Sequence, residues 1–323
     1  MVPNRTARAQ RSGPVVIAAA AAGHDLITYF QAVVIGLLQG VTELFPISSL
    51  GHAVILPKLV GWNLNQKEPY FLAFLVATHL ATAIVLFLFF LPEWLRILRG
   101  LGRSLRDRQI AEHDPDARLA WLLIVGTIPA GLLGLLFEHP LRTLFANPKA
   151  AAAFLIANGL VLFASELLRR RAPGAPERAR ALERRGETPT SPEAEKRLAT
   201  LGFREAVGVG SAQAAALFPG ISRAGVTMGG GLFLGLTHED AARYAFLLAT
   251  PIIGAAALLK LPDLLGSDGN GVRGPALAGA VCAGIAAWAS VKFLMRYFET
   301  NKLTPFAVYC LLAGIAALLV FVF

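Results

Sequence analysis

The chain has 323 residues, of which 55% are hydrophobic and 16% are charged, and its formal net charge is +9. Soluble domains are seldom more than about half apolar, and here the excess falls in blocks of about twenty residues, the length that spans a bilayer. This composition excludes an ordinary soluble domain and predicts an all-α polytopic membrane protein. Cys282 and Cys310 both lie in apolar blocks, so neither a disulfide nor a cysteine metal site is expected.

Residues 1–24 are predicted to be an N-terminal extension. Arg5, Arg8 and Arg11 precede a short apolar run at 14–23, which is the order found in signal peptides. The same residues also fit an extension that stays on the protein, so the sequence leaves both interpretations open.

Residues 25–61 carry polar residues between two apolar stretches, each too short to cross a membrane alone. Gln39 and Glu43 are four residues apart and therefore share one face of a helix. Pro46 cannot continue that helix, and Ser48 or Ser49 can cap a new one. The segment thus predicts a helix, a break and a second helix, whose free N–H groups favour an anion such as phosphate.

Glu43 is the residue of this segment whose insertion into the membrane is the most unfavourable. An ionisable side chain at membrane depth costs about 2.5–3.5 kcal/mol on insertion scales, so a functional role is the default interpretation. The alternative is that Glu43 lies at the water interface and only ends a helix.

Three apolar spans follow at 70–91, 119–137 and 150–168, with a polar loop at 92–118 between the first two. Residues 169–204 contain ten basic residues and five glutamates, and we predict that they form a partly disordered cytoplasmic linker. Phe203 is the only aromatic residue in this segment, so nucleic acid is not an expected partner.

A second broken segment is predicted at 205–236, followed by spans near 240–262, 275–296 and 304–323. Its break contains Phe218-Pro219-Gly220-Ile221-Ser222-Arg223-Ala224-Gly225-Val226-Thr227.

The two halves of the chain are similar. Leu44-Phe-Pro-Ile-Ser48 returns as Leu217-Phe-Pro-Gly-Ile-Ser222, and Phe74-Leu-Val-Ala-Thr78 returns as Phe246-Leu-Leu-Ala-Thr250. The two offsets agree to within one residue, although short Phe- and Leu-rich matches can also arise by coincidence.

Each half, 25–168 and 205–323, therefore consists of one re-entrant helical hairpin and three transmembrane helices. Because three is odd, the second half enters from the opposite side of the membrane. That is an inverted-topology repeat, whose binding site lies where the broken elements meet.

The positive-inside rule sets the orientation. If the basic loops at 92–118, 169–204 and 296–303 are cytoplasmic, the spans alternate consistently and the C-terminus lies outside. The two hairpins then enter from opposite sides, and their tips can meet within the membrane.

The meeting point would bring together a set of polar side chains. The planar fork of Arg223 suits bidentate binding of phosphate oxygens, and Gly220 and Gly225 let the backbone approach a ligand. Glu43 can hold a divalent cation that bridges to a diphosphate. A structural Glu43–Arg223 ion pair is the main alternative. The full set is Gln39, Glu43, Ser48, Ser49, His52, Ser222, Arg223 and Thr227.

These two segments resemble the signatures of one family. Residues 39–52, Gln-Gly-Val-Thr-Glu-Leu-Phe-Pro-Ile-Ser-Ser-Leu-Gly-His, resemble the (Glu/Gln)-x-x-x-Glu and Pro-x-Ser-Ser-x-Gly-His pattern of the bacterial undecaprenyl-diphosphatases. Residues 219–227 resemble that family's second signature, Pro-Gly-x-Ser-Arg-Ser-Gly-x-Thr. The resemblance covers residues 25–323 and leaves the N-terminal extension and the basic linker without a clear counterpart.

The resemblance implies an inner-membrane enzyme that removes one phosphate from undecaprenyl diphosphate. It thereby regenerates the carrier lipid for peptidoglycan synthesis and gives resistance to bacitracin. The resemblance also implies a divalent cation, Mg²⁺ or Ca²⁺. The active site is expected to open to the periplasm, and a homodimer is compatible with the sequence.

By position, the resemblance places the catalytic roles on Glu43, Ser48, Ser49, His52 and Arg223. The metal ligands fall on Glu43 and Gln39. The residues that bind the substrate phosphates are Arg223, Ser222, Gly220, Gly225, Thr227 and Ser49.

Three positions depart from the family pattern. Gln39 is the amide variant of an acidic position, so Glu43 is the stronger metal ligand. Leu50 replaces a residue that is often small and polar, and Ala224 replaces a serine.

The sequence leaves the chemistry of the reaction open. His52 could be the nucleophile, through a phospho-enzyme, or the acid or base that activates water or a serine. A transporter or flippase for a polyprenyl phosphate is a different class of function with similar architecture. A non-catalytic scaffold would explain the spans but not the polar cluster.

Overall fold

The computed structural model describes residues 26–145, 147–169, 197–266 and 269–323. The predicted N-terminal extension and most of the predicted linker lie outside these ranges. The regular elements are α1 (Tyr29–Thr42), α2 (Ser49–Leu59), α3 (Pro69–Phe89), α4 (Leu91–Asp107), α5 (Pro115–Phe145), α6 (Pro148–Arg169), α7 (Phe203–Ala212), a 3₁₀ helix (Gln213–Leu217), α8 (Arg223–Phe233), α9 (His238–Leu265), α10 (Arg273–Tyr297) and α11 (Thr304–Val322).

Six helices within the described ranges are long and apolar enough to cross a membrane. They are α3, α5, α6, α9, α10 and α11, and each overlaps one of the spans predicted from the sequence. The prediction of an all-helical, multi-pass membrane protein is therefore confirmed.

The prediction of a polar loop at 92–118 is wrong. Residues Leu91–Asp107 form α4, which packs against α5. Trp94, Ile97 and Ser104 are buried on one face of α4, while arginines occupy other positions. The segment is highly charged, and a charged amphipathic helix has a composition similar to that of a polar loop. Composition alone therefore does not distinguish the two, whereas the helical spacing of the buried residues does.

The first helix of each broken element packs on a long helix of the other half. Helix α1 packs against α10, and α7 packs against α5. Both contacts pass through glycine pairs, Gly36 with Gly279 and Gly210 with Gly126. A β-carbon on Gly36 or on Gly210 would overlap the carbonyl oxygen of its partner glycine, so these backbones are in direct contact.

One end of the bundle is held together by buried and half-buried charges. The residues predicted as cytoplasmic loops, as far as the structure describes them, lie at this end. The ion pairs are Arg243 with Glu93, Arg197 with Asp240, and His238 with Glu166. Glu166 also accepts a hydrogen bond from the Leu303 amide, and Arg118 donates to the carbonyls of Ala199 and Leu201.

Candidate active site

The first helix break lies between Thr42 and Ser49. Ser48 caps α2, as predicted, and its φ of 69° places it in the left-handed region. Its hydroxyl accepts hydrogen bonds from the Gly51 amide (3.3 Å) and from the Gly220 amide (3.1 Å) of the second break. The two breaks are therefore in direct contact.

The second break lies between Leu217 and Arg223, the first residue of α8. Ser222 caps α8 by accepting a hydrogen bond from the Gly225 amide (3.1 Å). Gly220 has a φ of 113°, and a β-carbon there would overlap the carbonyl oxygen of Ala151. Only glycine satisfies both conditions, so Gly220 fixes how closely the second break approaches α6.

Asn158 on α6 joins the two breaks and was not identified from the sequence. Its side-chain nitrogen donates to the Pro46 carbonyl (2.9 Å), and its side-chain oxygen accepts from the Ser222 amide (2.9 Å). The side chain is fully buried. The available signal was a single amide in an otherwise apolar span, which by itself has no characteristic spacing.

We expect Asn158→Leu to lower both the melting temperature and kcat. The substitution keeps the branched shape but leaves the Ser222 amide unpaired and leaves the Pro46 carbonyl only the long contact with the Cys310 thiol (4.0 Å), at about 1–3 kcal/mol for each buried group. A small displacement of one break relative to the other should lower kcat by about 10- to 10²-fold. Ser165→Ala is the control, because among the described residues the hydrogen-bond partner of the Ser165 hydroxyl is the Val161 carbonyl of the same helix. A variant that melts earlier but turns over normally would contradict a positioning role.

Glu43 is the centre of the site. Its Oε2 accepts hydrogen bonds from the Gln39 amide (3.0 Å) and from the Ser49 hydroxyl. Its Oε1 pairs with the Arg223 guanidinium, which also donates to the Ala249 carbonyl. The predicted shared face of Gln39 and Glu43 is confirmed, and the carboxylate is buried.

His79 is a further contact of Glu43 that the sequence reasoning missed. Its Nε2 lies 3.4 Å from Glu43 Oε2, and its Nδ1 bonds to the Leu75 carbonyl (2.8 Å). A lone ionisable residue within the apolar span 70–91 was the signal that could have found it.

A cavity of about 630 Å³ opens beside Glu43. Its polar lining includes Glu43, Ser49, His79, Gln213 and Arg223, and its apolar wall includes Val54, Phe71, Leu75, Ile252 and Ile253. Lys67, Glu68, Lys260 and Asp263 also line it. These four residues lie near the start of α3 and the end of α9, opposite the charged end of the bundle.

The structure divides the predicted site residues into two groups. Glu43, Ser49 and Arg223 line the cavity, and Gln39 contacts Glu43. The others are absent from the cavity lining within the described residues: Ser48, His52, Gly220, Ser222, Gly225 and Thr227. Ser48 and Ser222 instead cap helices, and Thr227 is buried one turn into α8.

His52 faces α11. Its Nδ1 bonds to the Ser48 carbonyl (2.7 Å), so Nδ1 carries the proton, and its Nε2 is 2.8 Å from the Tyr309 hydroxyl. The two rings stack, with centroids 5.7 Å apart. In this arrangement His52 holds the first break against α11, and Ser49 is the hydroxyl that faces the cavity.

The comparisons with known proteins identify the family. A family model described as "Bacitracin resistance protein BacA" matches residues 32–316. The chain belongs to the BacA family.

Several similar relatives carry the name undecaprenyl-diphosphatase. One from Mycolicibacterium paratuberculosis is 51% identical over 302 residues, covering 90% of this chain and 97% of the relative. "Undecaprenyl-diphosphatase 2" of Frankia alni is 47% identical, with 90% and 97% covered. The relative from Granulibacter bethesdensis is 46% identical, with 89% and 95% covered.

The residues around Glu43 supply only part of the ligand set of a divalent cation. The amide oxygen of Gln39 is buried and has no hydrogen-bond partner among the described residues. These residues contain no group of three His, Cys, Asp or Glu side chains that could hold a metal. Mg²⁺ commonly binds through one or two protein carboxylates together with substrate phosphates, so Glu43 and Gln39 are sufficient only if a diphosphate completes the coordination.

Proposed function

We propose that this member of the BacA family hydrolyses undecaprenyl diphosphate to undecaprenyl phosphate and inorganic phosphate. This reaction recycles the carrier lipid for peptidoglycan synthesis and gives resistance to bacitracin. The observation that carries the proposal is the pairing of Glu43 from one helix break with Arg223 from the other inside a cavity with an apolar wall. The names of the relatives support the same substrate.

Arg223 and Ser49 have different roles at the terminal phosphate of the substrate. Arg223 neutralises charge on the transferring phosphoryl group, where positioning and electrostatics provide most of the catalysis. Ser49 is better placed than His52 to act as the nucleophile, because its hydroxyl faces the cavity and already donates to Glu43. Glu43 can take the hydroxyl proton as Oγ attacks phosphorus and the prenyl phosphate leaves.

A divalent cation, Mg²⁺ or Ca²⁺, would be held by Glu43, by the unpaired amide oxygen of Gln39 and by the phosphates of the substrate. When bound, it would neutralise phosphate charge and orient the diphosphate.

The direct test is phosphate release from a prenyl diphosphate by purified protein in detergent, with and without a chelator. We expect release that the chelator abolishes and Mg²⁺ or Ca²⁺ restores. A protein that binds the lipid but releases no phosphate would instead support the transporter or flippase.

We also propose that the two halves form an inverted-topology repeat with two re-entrant hairpins. The reciprocal packing of α1 on α10 and α7 on α5, each through a glycine pair, supports it. The pairing of α3 with α9 and of α6 with α11 has the same symmetry. A homodimer stays a prediction, to be tested by mass measurement in detergent.

In the proposed orientation the protein lies in the inner membrane with its site open to the periplasm. The cavity mouth and the charged end of the bundle lie at opposite ends, which supports it. Protease added to right-side-out spheroplasts should leave the 169–204 linker intact, whereas protease added to inverted vesicles should cut it. Cleavage of the linker in right-side-out spheroplasts would contradict the proposed orientation.

A further inference from the structure

Gln213 is a cavity residue that the proposed mechanism does not use. It begins the 3₁₀ helix before the second break, is 3% exposed, and lines the cavity together with Ser49 and Arg223. A buried glutamine in this position needs partners for both ends of its amide.

Only one end of the Gln213 amide has a partner among the described residues. Its nitrogen donates to the Gly126 carbonyl (3.3 Å), which fixes which way the amide points. Its oxygen is buried and unpaired. An amide oxygen only accepts hydrogen bonds, so it cannot bind a deprotonated phosphate oxygen and instead suits a hydrogen-bond donor, such as a water molecule, or a cation.

A second unpaired group lies close by. The Tyr244 hydroxyl is buried without a partner among the described residues, and it lies 3.3 Å from the position that a β-carbon on Gly126 would occupy. Gln213 and Tyr244 thus both lie next to Gly126. A buried water needs two to four polar partners, and the unpaired oxygen of Gln213, which lines the cavity, and the unpaired hydroxyl of Tyr244 are both available to bind one.

We propose that Gln213 holds and orients the water that is consumed in the reaction, with Tyr244 as a second partner. In that step, which frees Ser49 from the phosphate it has taken up, the water oxygen forms the new bond to phosphorus and the bond from phosphorus to Ser49 Oγ breaks. The leaving oxygen takes that electron pair and receives one proton of the water. The other hydrogen, directed at Gln213, stays on the phosphate product. This inference rests on the proposed phosphatase function.

The test measures how the enzyme partitions the phosphoryl group between two competing nucleophiles, water and methanol. Purified enzyme is given a prenyl diphosphate in a water–methanol mixture, and inorganic phosphate and methyl phosphate are measured separately. Gln213→Leu and Gln213→Asn should lower hydrolysis by on the order of 10²-fold. They should raise the ratio of methyl phosphate to inorganic phosphate by about tenfold. That is roughly the effect of losing one hydrogen bond that favours water over methanol as the nucleophile.

Gln66→Leu is the matched control, because Gln66 also lines the cavity but donates to the Ala53 and Val54 carbonyls. Its ratio should not change. Melting curves for all variants, and the use of both Leu and Asn at position 213, separate this effect from unfolding.

The proposal is overturned if Gln213→Leu and Gln213→Asn lower both products equally, because Gln213 would then only support the fold. It is also overturned if they shift the half-saturating Mg²⁺ concentration while the ratio stays constant, because the oxygen would then bind the cation. If the wild type releases no phosphate in water alone, the proposed function itself is wrong and this inference is wrong with it.

Discussion

Glu43→Gln is expected to abolish most phosphate release while the protein still folds and inserts. The change keeps the shape but removes the negative charge that faces Arg223, His79 and the Ser49 hydroxyl. Gln39 is already neutral, so no other carboxylate of the first break can replace it. Loss of a positioned acceptor for a transferred proton typically lowers the rate by on the order of 10²–10⁴-fold. Phosphate release should be measured across Mg²⁺ and Ca²⁺ titrations.

A second buried carboxylate provides the control for Glu43→Gln. Glu93 pairs with Arg243 (2.8 Å) at the charged end of the bundle, away from the cavity. Glu93→Gln should lower the melting temperature, because the buried Arg243 then keeps only its longer ion pair with Glu239 (3.5 Å), but it should change kcat only slightly. Near-normal release by Glu43→Gln at low metal concentration would rule out Glu43 as a metal ligand.

Arg223→Lys and Arg223→Ala are both expected to be badly impaired, at normal membrane levels. Lysine offers a point charge where arginine offers a planar fork, so it cannot contact Glu43 and a phosphate in the same way. Loss of one contact that strengthens in the transition state costs on the order of 10²–10³ in rate. The loss should affect kcat more than KM. A short-chain prenyl diphosphate and a melting curve for each variant are sufficient for the measurement.

Arg243→Lys distinguishes a binding residue from a structural cation. Arg243 is also a buried arginine paired with a glutamate, but it does not line the cavity. We expect Arg243→Lys to melt earlier and still turn over, whereas Arg223→Lys should fold and fail to turn over. If Arg223→Lys works nearly as well as the wild type, or if both Arg223 variants are simply unstable, the Glu43–Arg223 contact is a structural ion pair.

The sequence predicted the parts of the site that depend on local spacing. The four-residue interval between Gln39 and Glu43, the proline after it and the capping serine each follow from rules within one turn of a helix. The meeting of Glu43 with Arg223 was predicted from the repeat, because two similar breaks in opposite halves imply a shared centre.

His79, Asn158 and Gln213 were missed for a common physical reason. Each lies among mostly apolar neighbours on its element, so its role depends on which element lies opposite. His52 illustrates the reverse case. Its position three residues after Ser49 indicated chemistry, but the rotation of α2 directs its ring towards α11. Such orientations are set by packing between distant segments, which no local pattern specifies.

The glycine contacts between α1 and α10 and between α7 and α5 have a consequence for the order of assembly. Helix α1 is among the first elements to leave the ribosome, but the helix that covers it begins only at Arg273. Until then, the glycine-bearing face of α1 has no backbone to pack against. The first broken element therefore cannot reach its final position during synthesis of its own half, and Glu43 reaches Arg223 only after nearly the whole chain has been inserted.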